Sequence, residues 1–334
     1  MQTQNILFKI FNKRTCLTLC LISSIFLSCY VPNNLHFKEA GTLLWVDSKH
    51  KDVAVKNAIQ YTLEHSSIIV AQIPWSPNDR SFFKNTAWYF SLAKNHGKNF
   101  MIAIDWQESD RTGTKGGWSF ADRETAILFK KDMLKLVETY NPDYINLGVE
   151  VNYYALTSSN GFKAFASMFR KLKYEIKQLK PEIKIGLSYQ LELLYGHHHN
   201  WDQSKTFITL ENLLGDIDYL GISTYPNMVS GKKQAEVLFS MKYIDSLSNA
   251  YSLPIGISET AVSSKLYNKE ERKAYVKNIF QKVSELDLKF VIWGSMIDAA
   301  TDNFWSDKMG LLNADGEPKN EFSFWQNEHI KLHK

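Results

Sequence analysis

Residues Tyr144–Glu150 read YINLGVE, a short apolar run that ends in a carboxylate. Its length and its content of Ile, Leu and Val predict a strand that is buried on both faces. A second run of this kind, Pro254–Glu259 (PIGISE), also ends in glutamate. The carboxyl ends of parallel strands converge on one face of an α/β protein, so we expect Glu150 and Glu259 to lie on the same face.

Similar runs recur along the whole chain. The predicted strands are Thr42–Val46, Ser67–Ile73, Phe100–Asp105, Tyr144–Val149, Ile183–Tyr189, Tyr219–Ser223, Pro254–Ser258 and Phe290–Ser295. Amphipathic segments lie between them, most clearly at Asp122–Tyr140, Gly161–Lys180 and Lys269–Leu286, where Asn268 can cap the helix. Eight strands that alternate with helices favour a single-domain (β/α)8 barrel, although a doubly wound open sheet has the same local pattern.

The first 29 residues differ from the rest of the chain. Lys9, Lys13 and Arg14 form a basic segment without acidic residues, and an apolar stretch follows from Cys16 to Leu27. This stretch is shorter than the ~20 residues of an ordinary membrane span, and the layout is that of a secretory signal. We therefore predict an exported protein with a signal at residues 1–29, a linker at 30–39 and one domain at 40–330.

The end of that segment carries a further resemblance. Residues Phe26–Cys29 (FLSC) resemble the lipobox of bacterial lipoproteins, with phenylalanine where leucine is usual. The resemblance implies that Cys29 is lipidated and anchors the protein to a membrane of the cell envelope. An ordinary secretory signal and an uncleaved anchor are the alternatives.

Composition limits the remaining classes of function. Of the 334 residues 44% are hydrophobic, which provides a large core, and all three cysteines lie in the first 29 residues. The rest of the chain therefore forms no disulfide and no thiolate metal site. Three charges of the net +4 also lie in that segment, so the near-neutral remainder gives no indication of a nucleic-acid partner. The sequence does not indicate an oligomeric state.

The sequence gives no indication of a cofactor or a metal site. The chain has no glycine-rich phosphate loop after a strand and no Gly-x-Ser-x-Gly. Three consecutive histidines, His197–His199, do not share a face on a helix or a strand, which favours a polar loop over a metal site. We predict neither a metal nor a cofactor.

Four segments resemble the retaining glycoside hydrolases of clan A, which are (β/α)8 barrels: YINLGVEVN, IDYLGISTYP, PIGISETAV and FVIWGS. Around strands four, six and seven the resemblance is to family 53, the endo-β-1,4-galactanases. It implies that Glu150 is the acid/base, that Glu259 is the nucleophile, that Tyr225 contacts Glu259, and that Trp293 forms the floor of the sugar site.

One position departs from this clan. Most members have asparagine directly before the acid/base, where it contacts a sugar hydroxyl, whereas this chain has Val149. Asn152 is the candidate for that contact. Three further tryptophans at or near predicted strand ends are candidates for stacking on sugar rings: Trp45, Trp75 and Trp106.

The two glutamates suffice for a retaining mechanism if their carboxyl groups lie ~5–5.5 Å apart. An ionised Glu259 would raise the pKa of Glu150 and keep it protonated for the first step. The loop Gln107–Phe120 either shapes a polar subsite for the substrate or is exposed to solvent without a role in binding. A mannan or β-glucan hydrolase, a non-catalytic carbohydrate-binding barrel and a structural envelope lipoprotein are the alternative functions.

Overall fold

A computed structural model of the protein describes residues 38–46, 48–201, 206–229, 242–300 and 308–332. The predicted signal and the lipidation site at Cys29 lie outside the described residues. The chain from Lys38 onward forms one compact unit by itself. None of the described helices is long and apolar enough to cross a membrane.

Eight parallel strands form the centre of the protein in the order β1-β8-β7-β6-β5-β4-β3-β2. Their bounds are β1 (Glu39–Thr42), β2 (Ile68–Pro74), β3 (Asn99–Asp105), β4 (Tyr144–Asn146), β5 (Lys184–Gln190), β6 (Tyr219–Thr224), β7 (Ile255–Thr260) and β8 (Phe290–Trp293). β1 and β2 approach each other through a single parallel bridge, Leu43 with Val70, and the Ser67 amide donates to the Ala40 carbonyl at 2.8 Å. The predicted (β/α)8 barrel is confirmed.

Helices lie between the strands, as the amphipathic patterns predict. The described α-helices are Asp52–Glu64, Ser81–Asn95, Arg123–Tyr140, Val151–Thr157, Ser159–Leu179, Leu191–Leu194, Phe207–Glu211, Lys242–Ala250, Lys269–Glu285 and Asn320–Leu332. The three predicted amphipathic helices agree with the structure to within two residues at each end. Asn268 caps the helix Lys269–Glu285 as predicted, and Glu271 donates its amide to the Asn268 side chain and accepts from the Asn268 amide.

The first strand differs from its prediction. Hydrophobicity placed it at Thr42–Val46, whereas β1 runs from Glu39 to Thr42. Leu43 still pairs with Val70, and its carbonyl accepts from the Met296 amide at 2.7 Å, so this apolar residue belongs to the turn that leaves the barrel. Glu39 is buried because the Asn99 side chain donates to its carboxylate. A search for hydrophobic runs misses a strand that begins with a polar residue such as Glu39, because its hydrogen-bond partner is distant in the chain.

The amino-terminal end of the barrel is filled by one layer of side chains from the even strands. Ile68, Tyr144, Tyr219 and Phe290 are the first residues of β2, β4, β6 and β8. The rings of Tyr144, Tyr219 and Phe290 contact one another edge to face, with centroids 5.3–5.7 Å apart. Layers built from alternate strands are the packing of this fold, and they leave the other end of the barrel to the site.

Glycines on odd strands make room for these rings. A Cβ at Gly186 of β5 would overlap the ring of Tyr219, and one at Gly256 of β7 would overlap the ring of Phe290. The rings of Tyr219 and Phe290 are therefore each matched by a missing side chain on an odd neighbour. We define Ile68, Tyr144, Tyr219 and Phe290 as the aromatic layer.

Candidate active site

A cavity of about 300 Å³ opens at the carboxyl ends of the strands. Both predicted glutamates line it, and so does Tyr225. The complete lining among the described residues is Ser109, Asp110, Arg111, Thr112, Glu150, Tyr153, His198, Asn200, Trp201, Tyr225, Met228 and Glu259. The prediction that Glu150 and Glu259 lie on the same face of the barrel is confirmed.

Glu150 has a left-handed backbone conformation. Its φ of 51° and ψ of 48° are uncommon for a residue with a side chain, and it lies directly before the helix Val151–Thr157, in the segment that follows β4. The Glu150 amide donates to Ser188 Oγ at 3.0 Å, and its carbonyl accepts from Gln107 Nε2 at 3.1 Å. Side chains from two neighbouring strand ends therefore hold a strained residue in place, as is common at functional sites.

The Glu150 carboxylate is paired with Arg111. Arg111 Nε donates to Glu150 Oε2 at 2.8 Å, and Arg111 Nη1 donates to Asp105 Oδ1 at 2.8 Å. The side chains of all three residues are at most 15% exposed. Burial opposes the charge of Arg111, but Asp105 and Glu150 outweigh this effect and raise the pKa of Arg111, so the group is a cation.

Glu259 lies in β7 beside an irregularity of the sheet. The register shifts between Ile222 and Ser223 of β6, and again between Ile257 and Thr260 where β7 meets β8. Such irregularities re-aim side chains at the rims of barrels. The Tyr225 hydroxyl donates to Glu259 Oε1, which is the contact that the resemblance implied for the nucleophile.

The two glutamates differ in their surroundings in the free site, because Arg111 contacts Glu150 directly. Burial raises the pKa of both glutamates, and for Glu259 burial together with the charge of Glu150 raises the pKa to about 8. Arg111 lowers the pKa of Glu150 and so opposes the effect of burial there. The sequence-based expectation assigned the proton to Glu150, whereas the contact with Arg111 favours the charged form of Glu150 in the free site.

A third carboxyl group lies behind Tyr225. Glu192 Oε1 accepts from Thr224 Oγ1 at 2.6 Å and from the Tyr225 amide at 3.2 Å. Burial raises the pKa of Glu192 to about 8, so it is mainly protonated at neutral pH. Glu192 fixes the backbone of the residue that contacts Glu259.

Asn152 and Val149 do not face the cavity. Val149 is buried with side chains of the barrel interior. Asn152 is fully buried, its Nδ2 donates to the Gln190 carbonyl and to Thr206 Oγ1, and its Oδ1 accepts from the Gln190 amide. The structure therefore uses Asn152 to connect the helix Val151–Thr157 to the end of β5 and does not bring it to the site.

The four predicted tryptophans also lie away from the cavity. Trp75, Trp106 and Trp293 are fully buried, and their indole N–H groups donate to Asp132, to the Leu147 carbonyl and to the Met309 carbonyl, respectively. Trp45 is 47% exposed and is not part of the lining. Stacking on a sugar does not follow from these placements, because the buried rings pack against other aromatic residues of the core.

Other aromatic residues line the cavity instead. The rings of Tyr153 and Trp201 lie 5.3 Å apart, and the Tyr153 hydroxyl is 2.7 Å from His198 Nε2. Burial lowers the pKa of His198 to about 4, so this imidazole is neutral. Within the described ranges, no group of three His, Cys, Asp or Glu residues is arranged to hold a metal ion. Of these residues only Tyr153 had a local sequence signal, since it follows Glu150 by one helical turn.

Comparisons with known proteins find similarity in structure alone. The chain matches no family model and no curated protein sequence. Among solved structures, it is similar to an exo-β-1,4-mannosidase from an Opitutaceae bacterium, with a TM-score of 0.64 and 13% identity over 88% of this chain and 59% of that one. The chain thus spans less than two thirds of that mannosidase.

Two further structures are covered almost completely. An endo-1,4-β-mannanase from Rhizomucor miehei gives a TM-score of 0.62 at 13% identity, over 89% of this chain and 95% of that one. A thermostable mutant of a xylanase from Cellvibrio japonicus gives 0.59 at 14% identity, over 88% and 98%. At such low identity these likenesses show the barrel fold.

Proposed function

We propose that the protein is a retaining glycoside hydrolase that cleaves a β-linked polysaccharide or oligosaccharide. One observation carries this proposal: Glu150 and Glu259, from strands on different sides of the barrel, line a single cavity, and Tyr225 donates to Glu259. Two carboxyl groups on one cavity are the equipment of glycosidic-bond hydrolysis. The glycoside hydrolases among the similar structures support the same kind of function.

In the proposed mechanism Glu259 is the nucleophile and Glu150 the acid/base. Ionised Glu259 attacks the anomeric carbon while Glu150 gives its proton to the leaving oxygen, which forms a glycosyl–enzyme ester. Glu150 then takes a proton from water, and that water cleaves the ester and returns Glu259 to the carboxylate. Tyr225 positions the Glu259 oxygen for this attack.

The sugar is proposed from the resemblance around strands four, six and seven, which points to β-1,4-galactan. Mannan, xylan and β-glucans belong in the same screen because the similar structures include a mannanase and a xylanase. The test is release of reducing ends from each polymer, followed by NMR of the first product. A β-linked polymer that yields a β-configured product shows retention, whereas an α-configured product contradicts it.

Variants of the two glutamates test the roles. We expect Glu150→Gln and Glu259→Gln each to lower the turnover rate at least ~10²-fold. Glu182→Gln, at an exposed position after the helix Ser159–Leu179, is the matched control and should keep the wild-type rate. Wild-type turnover in either site variant would remove that glutamate from the mechanism.

A non-catalytic carbohydrate-binding barrel is the second candidate. Two observations favour it: Val149 is buried at the position where the clan has asparagine, and Arg111 pairs with the proposed acid. Binding of a polysaccharide without product in the same screen would support this function over hydrolysis.

Export and lipid anchoring are proposed from residues 1–29 alone. We expect a Cys29→Ala variant expressed in a bacterial host to lose incorporation of an alkyne-tagged fatty acid that the wild-type chain takes up. Equal labelling of both chains would refute lipidation at this cysteine.

A further inference from the structure

Arg111 is the only cation among the described residues that line the cavity, and it contacts the proposed acid directly. Its second contact, to Asp105, involves the last residue of β3. The guanidinium therefore bridges two carboxylates from different strand ends. Because all three side chains are largely buried, solvent and salt screen this bridge much less than an ion pair on the surface.

The loop that carries Arg111 fixes its place. Gln107 and Thr114 form an antiparallel bridge, and the Glu108 amide donates to the Gly113 carbonyl at 2.9 Å. Arg111 is at the tip of this loop with a left-handed φ of 62°, which is unfavourable for a residue with a side chain. The loop thus holds Arg111 in an unfavourable conformation that directs its side chain to Glu150.

Groups from every surrounding element influence the charge of Glu150. Arg111 favours the carboxylate, whereas the negative charge of Asp105 opposes it. Glu150 and Glu259 oppose each other's ionisation, and Tyr225 donates to Glu259. Four other titratable or charged residues lie nearby. They are Tyr153 in the helix Val151–Thr157, His198 in contact with the Tyr153 hydroxyl, Glu192 after β5 and Lys115 beside Asp105.

We propose that Arg111 is a positioning residue: by bridging Glu150 to Asp105 it keeps Glu150 ionised in the free protein, so that the proton of the glutamate pair rests on Glu259. The charge arrangement is independent of the proposed function, but its consequence in catalysis rests on that function. There, the proton must pass from Glu259 to Glu150 before Glu150 can protonate a leaving group, and that transfer also provides the carboxylate on Glu259. Arg111 therefore opposes the productive arrangement of the pair until a ligand enters the cavity.

The test is a titration that requires no substrate. The full chain is labelled with carbon-13 at the glutamate side-chain carboxyl carbon, and NMR follows it from pH 3 to pH 10. Glu150→Gln and Glu259→Gln identify the two signals. In the wild-type chain we expect Glu150 to titrate below Glu259, and in Arg111→Met its midpoint should rise by about 1–3 pH units. Unchanged midpoints in that variant would overturn the inference.

Two more variants guard against a folding defect. Arg111→Lys keeps the charge but cannot bridge both carboxylates in the same way, so it should shift the midpoint less than Arg111→Met. Asp105→Asn removes a negative neighbour and should lower the Glu150 midpoint, which is the opposite sign. Arg170→Met, which breaks the surface pair with Asp216, is the matched control and should leave the midpoints of both Glu150 and Glu259 unchanged. A fall in Arg111→Met or a rise in Asp105→Asn would contradict the bridge.

The proposed function and this inference can fail separately. If the titrations behave as stated but no polymer is hydrolysed, the charge arrangement stands and the hydrolase proposal falls. If a substrate is found, the pH–rate profile of Arg111→Met should move to higher pH, because loss of the cation raises the pKa of both glutamates. A lower rate with an unmoved profile would show that Arg111 is only structural.

Discussion

The two ends of the barrel are built from the same strands by opposite rules. At the amino-terminal end, the aromatic layer consists of Ile68 and three rings that contact one another edge to face. At the carboxyl end, the described residues include a left-handed glutamate, a buried ion-paired arginine and carboxyl groups with raised pKa values. A buried arginine that pairs with two carboxylates costs desolvation free energy, so its place at the carboxyl end indicates that this end is the functional one.

Unpaired polar atoms occur at both ends of the barrel. Glu192 Oε2 and Gln107 Oε1, both near the cavity, are buried and have no hydrogen-bond partner in the structure. The aromatic layer also contains one such atom, the Tyr219 hydroxyl. Glu39 Oε2, at the start of β1, is unpaired as well, so what distinguishes the carboxyl end is the buried arginine between Glu150 and Asp105.

The largest expected effect concerns the aromatic layer. Phe290→Ala removes a ring that contacts Tyr144 and Tyr219, and should lower the free energy of unfolding by ~3–5 kcal/mol. Urea denaturation measures this change. Ile127→Ala, at an exposed helix position, should change it by less than ~0.5 kcal/mol. The activity per folded molecule should stay near wild type, and a selective loss of turnover would break the division between the two ends.

Tyr225→Phe tests the other end. It removes the hydrogen bond to Glu259, and hydrogen bonds to charged groups contribute ~1.5–3 kcal/mol, so turnover should fall about 10- to 100-fold. Because that bond lowers the pKa of Glu259, the acid limb of the pH–rate profile should move to higher pH. Tyr195→Phe, whose hydroxyl donates to the Tyr243 carbonyl instead, is the control. Equal losses in both variants would show that the effect is not specific to Glu259.

Glu192→Gln should change how stability depends on pH. The pKa of Glu192 is about 8 in the folded protein, whereas an unfolded glutamate titrates near ~4.3. Between these two pH values, Glu192 therefore holds a proton in the folded state that it has lost in the unfolded state. Stability therefore falls as pH rises through this interval, by up to ~1.4 kcal/mol per pH unit for one group. The variant should flatten that slope, though Glu259 adds the same trend. Urea denaturation from pH 5 to 8 measures it, and a slope equal to that of Glu182→Gln would contradict a neutral Glu192.

The smallest effect distinguishes two tryptophans. Trp201 lines the cavity, whereas Trp45 does not. If Trp201 stacks on the substrate, Trp201→Ala should raise KM by a few-fold, in line with ~0.5–1.5 kcal/mol for a ring contact. Trp45→Ala should leave KM unchanged. The reverse result would support the sequence-based assignment of Trp45 and would contradict the placement of the binding surface at the cavity.

Periodicity was sufficient for the fold and for the two central residues. Short apolar runs between amphipathic segments placed seven of the strands within a few residues, because buried parallel strands require such runs. Glu150 and Glu259 could be paired for the same reason, since strands of one direction bring their ends to one face. The tryptophans show where this reasoning ends: a position near a strand end does not say whether a ring faces the cavity or the helices outside it.

The sequence by itself determined the alternating strands and helices, the common face of the two glutamates and the cap at Asn268, and it favoured the barrel over an open sheet. Only the tertiary structure decided that Arg111 pairs with Glu150 and that Asn152 forms hydrogen bonds with the end of β5. It also decided that Tyr153, His198 and Trp201 line the cavity. The physical reason is range. Strand and helix patterns are set by neighbours a few residues apart, whereas the charge of Glu150 depends on loops and strand ends that are distant in the chain and meet only in the folded barrel.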